Sequence, residues 1–184
     1  MNTGPIAHRY AKALLKLVQE TGAGDIAYPQ ACVLVHRMQE IRQLADVIHK
    51  HPELPLSQKL QLLEAALGEP MSDGIKRFVS LVYENGRMEY LLRMMYSFIE
   101  QYRAANSIKV GRLVTASPAP GLKDALERIL QEKTGATVIL EESVDESIIG
   151  GFILQLDDQR MDASVEAQFR RLRSELIDNN NRIV

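Results

Sequence analysis

Apolar positions recur every three or four residues through the amino-terminal half of the chain, and the period then changes. Between Ile6 and Glu20, the residues Ile6, Tyr10, Ala13, Leu14, Leu17 and Val18 share one face, with Arg9, Lys12, Lys16 and Gln19 largely opposite. That spacing predicts a helix. Pro5 suits its first position and Gly22 and Gly24 end it. Asp25 can cap a second helix over about 26–44, with Val33, Leu34, Met38 and Ile41 at helical spacing and Pro29 in its first turn. A short helical turn over 45–50 ends at His51-Pro52-Glu53-Leu54-Pro55. Further helices are expected from Ser57 to Gly68, from Ser72 or Asp73 to Asn85-Gly86, and from Met88 to about Ala105. After Asn106 a period of two appears, with Ile108, Val110 and Val114 alternating against Lys109, Gly111 and Thr115. The remaining pattern predicts a helix over Leu122–Lys133, strands over Thr137–Leu140 and Ile149–Leu156, and a hairpin turn over Asp157–Arg160. A last helix opens at Ser164 with Val165, Phe169, Leu172 and Leu176 on one face, and frays at Asn179-Asn180-Asn181.

The expected fold is therefore an all-α six-helix bundle over residues 1–105, followed by a small α+β domain over 106–184. A chain of 184 residues is long enough to bury a core without disulfides or metals. The single cysteine, Cys32, stands in the apolar run Ala31–Val35 and reads as a buried small hydrophobe.

Charge narrows the choice of function. The net charge is −2, with 12 basic and 11 acidic residues through Ala105 and 10 and 13 after it. A phosphate-tracking surface needs clustered Lys and Arg, so nucleic acid is not an expected partner. Arg170-Arg171-x-Arg173 is the one basic tract, and it reads as a solvated helix face. The longest apolar run, Ile148–Leu154, falls far short of the roughly 20 residues of a membrane helix. Any membrane association is expected to be indirect, through a partner.

Chemistry-bearing residues are present but scattered. His8 and His36 lack ligand-type neighbours at helical spacing, and His49-x-His51 offers two ligands where a zinc site needs three or four. No metal or cofactor is expected. Asp157-Asp158 suits a turn, and Asp162 with Ser164 suits a helix cap better than part of a hydrolase triad. Gly150-Gly151 precedes a strand and is followed by no Lys-Ser/Thr, so it is not a phosphate loop. Nucleophile, base and orienting group do not come together, and no catalytic residue is expected. The first helix stands apart. Small Ala7, Ala11 and Ala13 surround Tyr10, a pattern that lets a second helix approach closely.

Two stretches carry a family resemblance. Ala7-His8-Arg9-Tyr10-Ala11-Lys12-Ala13-Leu14 resembles the amino-terminal A-x-x-Y-A-x-A-L/F of the ATP synthase delta subunits, whose mitochondrial counterpart is the oligomycin-sensitivity-conferring protein. Gly150–Val165 resembles that family's carboxy-terminal signature of a Gly pair, an apolar strand, an Asp-bearing turn and Asp-x-Ser before a Leu-rich helix. Asp157, Ala163 and Phe169 stand where the family often has Gly, Gly and Leu, changes that touch the turn and packing only.

The resemblance implies a non-catalytic stator subunit, peripheral on the cytoplasmic face of the membrane, that ties the catalytic head to the peripheral stalk against rotor torque. It implies that the bundle takes the amino-terminal helix of the alpha subunit between its first and fifth helices. Carried onto this sequence, the contact residues are Tyr10, Ala13, Leu14 and Leu17 facing Ile75, Val79 and Val82. It implies that the carboxy-terminal domain meets the b subunits, with the helix over Val165–Ile177 as the contact. Nothing in the sequence points to self-association. The rival readings are a helical adaptor unrelated to ATP synthase and a small hydrolase using Asp162, Ser164 and a histidine.

Overall fold

The computed structural model describes residues 4–51 and 53–181, with side chains through residue 173. It divides into two compact units, Met1–Asn106 and Ser107–Val184. The first is helical throughout: α1 (Gly4–Thr21), α2 (Gly24–Glu40), α3 (Arg42–Lys50), α4 (Leu56–Leu67), α5 (Asp73–Glu84) and α6 (Leu91–Ala105). The second contains β1 (Ile108–Thr115), α7 (Leu122–Thr134), β2 (Thr137–Val144), β3 (Phe152–Leu156), β4 (Gln159–Asp162) and α8 (Val165–Asn181).

In the first unit α1 and α2 both pack on α6, and α1 also meets α5. Small residues make the close approaches possible. Ala11, Ala27 and Ala31 are wholly buried. A Cβ on Gly24 would stand 2.5 Å from the Tyr102 hydroxyl oxygen, so the start of α2 can lie against α6 only without a side chain there. Tyr28 stacks on Tyr102 at 4.8 Å between centroids, and Arg103 Nε donates to the Tyr28 hydroxyl at 2.9 Å. The α4–α5 turn is tied down by the buried amide of Gln30. Its Nε2 donates to Glu69 Oε1 and the Pro70 carbonyl, and its Oε1 accepts from Ser72 N at 2.8 Å. Every hydrogen-bonding group of that side chain is thus satisfied, which is the condition for burying it.

The second unit is one sheet, in the order β2-β1-β3-β4, with α7 as its apolar cover. β1 and β2 run parallel, and the β1–β3 and β3–β4 pairs are antiparallel. Parallel neighbours need a crossover, and α7 supplies it. Leu113, Val138, Leu140 and Leu154 form the core, with Leu122, Leu126 and Leu130 of α7 packed against it. Gly111 sits at the tightest point. A Cβ there would come within 2.7 Å of the Gln155 carbonyl oxygen.

Several element boundaries differ from the pattern-based expectation. The break after the second helix falls at Ile41 (φ −101°, ψ 84°), so residues 42–50 form a true helix instead of a trailing turn. Because α2 starts earlier, Pro29 falls beyond its first turn. β2 continues to Val144, since Glu141 and Glu142 sit exposed on a strand that pairs on one side only. β3 begins at Phe152, because Ile149 (φ 60°, ψ −43°) is the centre of a γ-turn closed by Gly150 N donating to the Ile148 carbonyl. The β3–β4 turn is only two residues, Asp157 and Asp158, with Leu156 already paired to Gln159. Asp157 takes a φ of 52°, a conformation Asp tolerates better than most residues. α8 runs through Asn181, where fraying was expected, and the Leu176 and Ile177 side chains lie outside the described residues.

Candidate docking surface

The residues expected to dock a partner helix divide into two groups. Leu14 is 1% exposed, and Ile75, Val79 and Val82 are 0% exposed. These four are core, with no surface to offer in this structure. On α5 the strongest apolar periodicity marks the face turned inward, through Ile75, Phe78, Val79 and Val82. Tyr10 is also buried, at 8%. Its hydroxyl accepts from Arg87 Nη1 at 2.6 Å, the guanidinium lies 5.5 Å from its ring centroid, and the Phe78 ring meets it edge-on. Tyr10 is thus an internal tie between α1 and the α5 end of the bundle.

Ala13 is exposed and Leu17 half-buried, so these two keep surface on α1. On α5 the exposed positions are Asp73, Arg77, Leu81 and Glu84, with Leu81 44% exposed. Sequence periodicity missed Leu81 because it lies off the core stripe. It also missed Ile26, which projects from the start of α2 with 58% exposure. A cavity of about 350 Å³ opens between these elements, lined by Leu17, Thr21, Ile26, Asp73, Gly74 and Arg77. Gly74 is buried opposite Val18, and a Cβ there would stand 3.6 Å from Val18 Cγ2, so α1 and α5 approach closely at this end. The surface is an apolar trough with a charged rim on α5, a form that takes an amphipathic helix.

In the second unit the exposed apolar residues include Phe169 at 67% and Leu172 at 54% on α8. Both belong to the apolar stripe that the spacing placed on one face of this helix. Cys32 is half-buried on α2, less enclosed than its apolar run suggests.

The groups that could have carried chemistry have structural work instead. Ser164 Oγ donates to Asp162 Oδ1 at 2.6 Å and accepts from Ala167 N at 3.2 Å, and Ser164 N donates to the same carboxylate oxygen. This is an N-cap for α8 with an acidic partner, and the Ser164 hydrogen bonds hold the Asp162 carboxyl below its usual range. Asp157 pairs with Lys109 Nζ at 2.6 Å. Gly151 (φ 80°) enters β3 so close to the chain before α8 that a Cβ would stand 2.3 Å from the Ala163 carbonyl oxygen. Among the described residues no group of three or more His, Cys, Asp or Glu side chains is placed to hold a metal, and no helix is long and apolar enough to cross a membrane.

A helical unit with an apolar trough and a small α+β unit with a four-stranded sheet define the class by fold. Comparison with known proteins gives the family. The model of the ATP synthase delta (OSCP) subunit matches residues 6–176. The chain is 39% identical to the ATP synthase subunit delta of Phocaeicola vulgatus and 36% identical to that of Bacteroides fragilis, over the full length of each. It is 31% identical to that of Desulfitobacterium hafniense, over 96% of this chain and 98% of the relative. The fold is similar to a chain in the Toxoplasma gondii mitochondrial ATP synthase hexamer, with a TM-score of 0.57 and 21% identity over 93% of this chain and 97% of that one. The protein belongs to the ATP synthase delta (OSCP) subunit family, whose members are structural and not catalytic subunits of the complex.

Proposed function

We propose that this protein is the stator joint of an F-type ATP synthase, holding the catalytic head to the peripheral stalk while the rotor turns. Family membership over residues 6–176 is the observation that carries this reading. In this reading the six helices of residues 1–105 act as one bundle domain. They take the amino-terminal helix of the alpha subunit in the trough between α1 and α5, while residues 106–184 meet the b subunits. The complex would sit at the cytoplasmic face of the membrane, and this chain would reach the membrane only through its partners. Of the residues carried over from the family, Ala13 and Leu17 would touch the alpha-subunit helix directly, with Ile26 as a further apolar wall. Tyr10, Leu14, Ile75, Val79 and Val82 would act from beneath, by fixing the spacing of α1 and α5. Burial of apolar surface would supply the affinity, and Arg77 and Asp73 at the rim would set the register.

The test is a calorimetric titration of the full chain with a peptide from the amino terminus of the same organism's alpha subunit, beside a Leu17→Asp variant. One-to-one binding is expected, weakened about tenfold or more in the variant while its helical circular dichroism is unchanged. A folded wild-type chain that ignores the peptide sinks the docking claim. Undiminished binding by Leu17→Asp moves the site off this trough.

A further inference from the structure

The corner between α3 and α4 holds a buried charge that the joint does not use. Lys59 on α4 is 1% exposed, in a chain whose other lysines keep to the surface or its edge. Its Nζ donates to the Ile48 carbonyl at 2.9 Å and lies 5.7 Å from the Tyr83 ring centroid. An ammonium carries three donors, and that bond uses one. The acids around the corner are engaged elsewhere, Asp46 with Lys50 at 2.7 Å and Glu53 with His51 at 2.5 Å. Next to Lys59, His49 has its Nε2 buried with no hydrogen-bond partner among the described residues. Burial pushes the pKa of both groups down. Asp46 and Glu89 oppose that shift at His49, Lys59 and Lys50 reinforce it, and Glu53 opposes it at Lys59. His49 and Lys59 line the same solvent-open cavity of about 430 Å³, walled also by Tyr83 and Met88 and with exposed Glu89 on its rim.

We propose that this cavity binds a small oxyanion, phosphate or carboxylate, through Lys59 Nζ and the His49 imidazole. A buried polar atom left without a partner is costly, and an oxyanion offers acceptor atoms both to the spare Lys59 donors and to the imidazole when Nε2 carries a proton. The carbonyl end of α3 would repel an anion, but Lys59 already neutralises that end through the Ile48 carbonyl. The rim carboxylate of Glu89 works against the anion and so limits affinity. An anion held here favours the protonated imidazole, so binding tightens as pH falls through and below the ordinary histidine value of 6.5.

The test is a titration of the full chain, ¹⁵N-labelled at histidine, with sodium phosphate and separately with sodium acetate, at ionic strength held constant with sodium chloride. A saturable displacement of the His49 ring nitrogens is expected. Lys59→Met should weaken it about tenfold or more. Glu89→Gln should tighten it about two- to threefold, since it removes an exposed like charge. Saturation by phosphate alone assigns a phosphate site, and saturation by both ions a general oxyanion site. A shift that stays linear in both ions, or that is the same in Lys59→Met, overturns the proposal. If Lys59→Met loses its helical circular dichroism, phosphorus-31 line broadening decides between wild type and His49→Gln. Broadening lost in the variant supports the site, and broadening unchanged removes it. The result is independent of the α1–α5 trough, so either reading can fail alone.

Discussion

The two units enclose their cores to different depths. In the first, Ile75, Val79, Val82, Met94 and Phe98 are entirely sealed, and every helix contributes at least one buried residue. In the second, α7 contributes none. Ile129, Ile139, Val144, Met161, Phe169 and Leu172 stay exposed there. The cause is architectural. Helices packed on several sides enclose a shared interior, whereas one helix over a four-stranded sheet covers part of one face. A small unit also buries a lower fraction of its surface. The difference teaches that the first unit seals a deep core even though Ile26, Ile41 and Leu81 stay exposed on it, while the one-sided second unit holds a shallower core of four buried side chains.

Core truncations are the strongest way to break that contrast. Phe98→Ala is expected to cost the first unit about 3–5 kcal/mol and Leu113→Ala the second about 2–5 kcal/mol. In urea, with amide exchange as the readout, the second unit should open first. Leu113→Ala should lower only that step. A single transition shifted alike by both variants would show that the two units share one cooperative core. A sharper version stays within α1. Tyr10→Ala should cost about 3 kcal/mol, because it removes a buried ring and leaves the Arg87 guanidinium without its acceptor. Leu17→Ala, at the half-exposed trough, should cost about 1 kcal/mol or less. Equal losses would mean that Leu17 is core too.

The helical half, the change of period near Asn106 and the capping role of Ser164 were all legible in the sequence. Periodicity reports burial, and burial in this protein is dominated by helix faces. The proposed docking surface was less legible for the same reason. Ile75, Val79 and Val82 show the α5 pattern most clearly because they are interior, and Leu81 and Ile26 go unmarked because an exposed apolar residue has no period. Val33 and Ile41 fit the α2 stripe by spacing, yet both are exposed: Ile41 lies in the break after α2, and the buried face of the helix runs through Ala27, Ala31, Leu34 and Met38. Small residues carry little hydrophobic signal even when they decide how near two helices come. Lys59 was invisible for the opposite reason. Nothing in a local pattern tells a buried lysine from a solvated one when its acceptor, the Ile48 carbonyl, belongs to another helix.

A smaller effect tests how the second unit is held at its last element. Ser164 satisfies Ala167 N at the start of α8 and is itself positioned by Asp162. Ser164→Ala should cost about 1 kcal/mol, confined to the second unit's transition. Asp162→Asn keeps an acceptor and should cost less. A loss spread over both transitions would contradict the separation of the units.

The smallest effect is a pH dependence that should belong to one unit alone. Every histidine of the chain precedes residue 107. His49 is held below its ordinary value of 6.5, chiefly by burial, with Lys59 adding to the shift and Asp46 opposing it. Above that value the imidazole is neutral in both folded and unfolded chains and contributes nothing to the pH dependence. As pH falls below 6.5, the unfolded chain takes its proton first, so the first unit loses stability until the folded-state value is also passed. The second unit has only carboxylates to offer. Asp145 and Asp162 are both held below 3.8 by hydrogen bonds, from Ser147 and Ser164 respectively. Their stabilisation is lost at lower pH, as the folded-state values are approached. Urea midpoints followed from about pH 7 to about pH 5 should therefore slope for the first transition and stay level for the second. His49→Gln should flatten the first. A slope that survives that substitution would move its origin to another group in the bundle, and a matching slope in the second transition would show that the two units do not unfold independently.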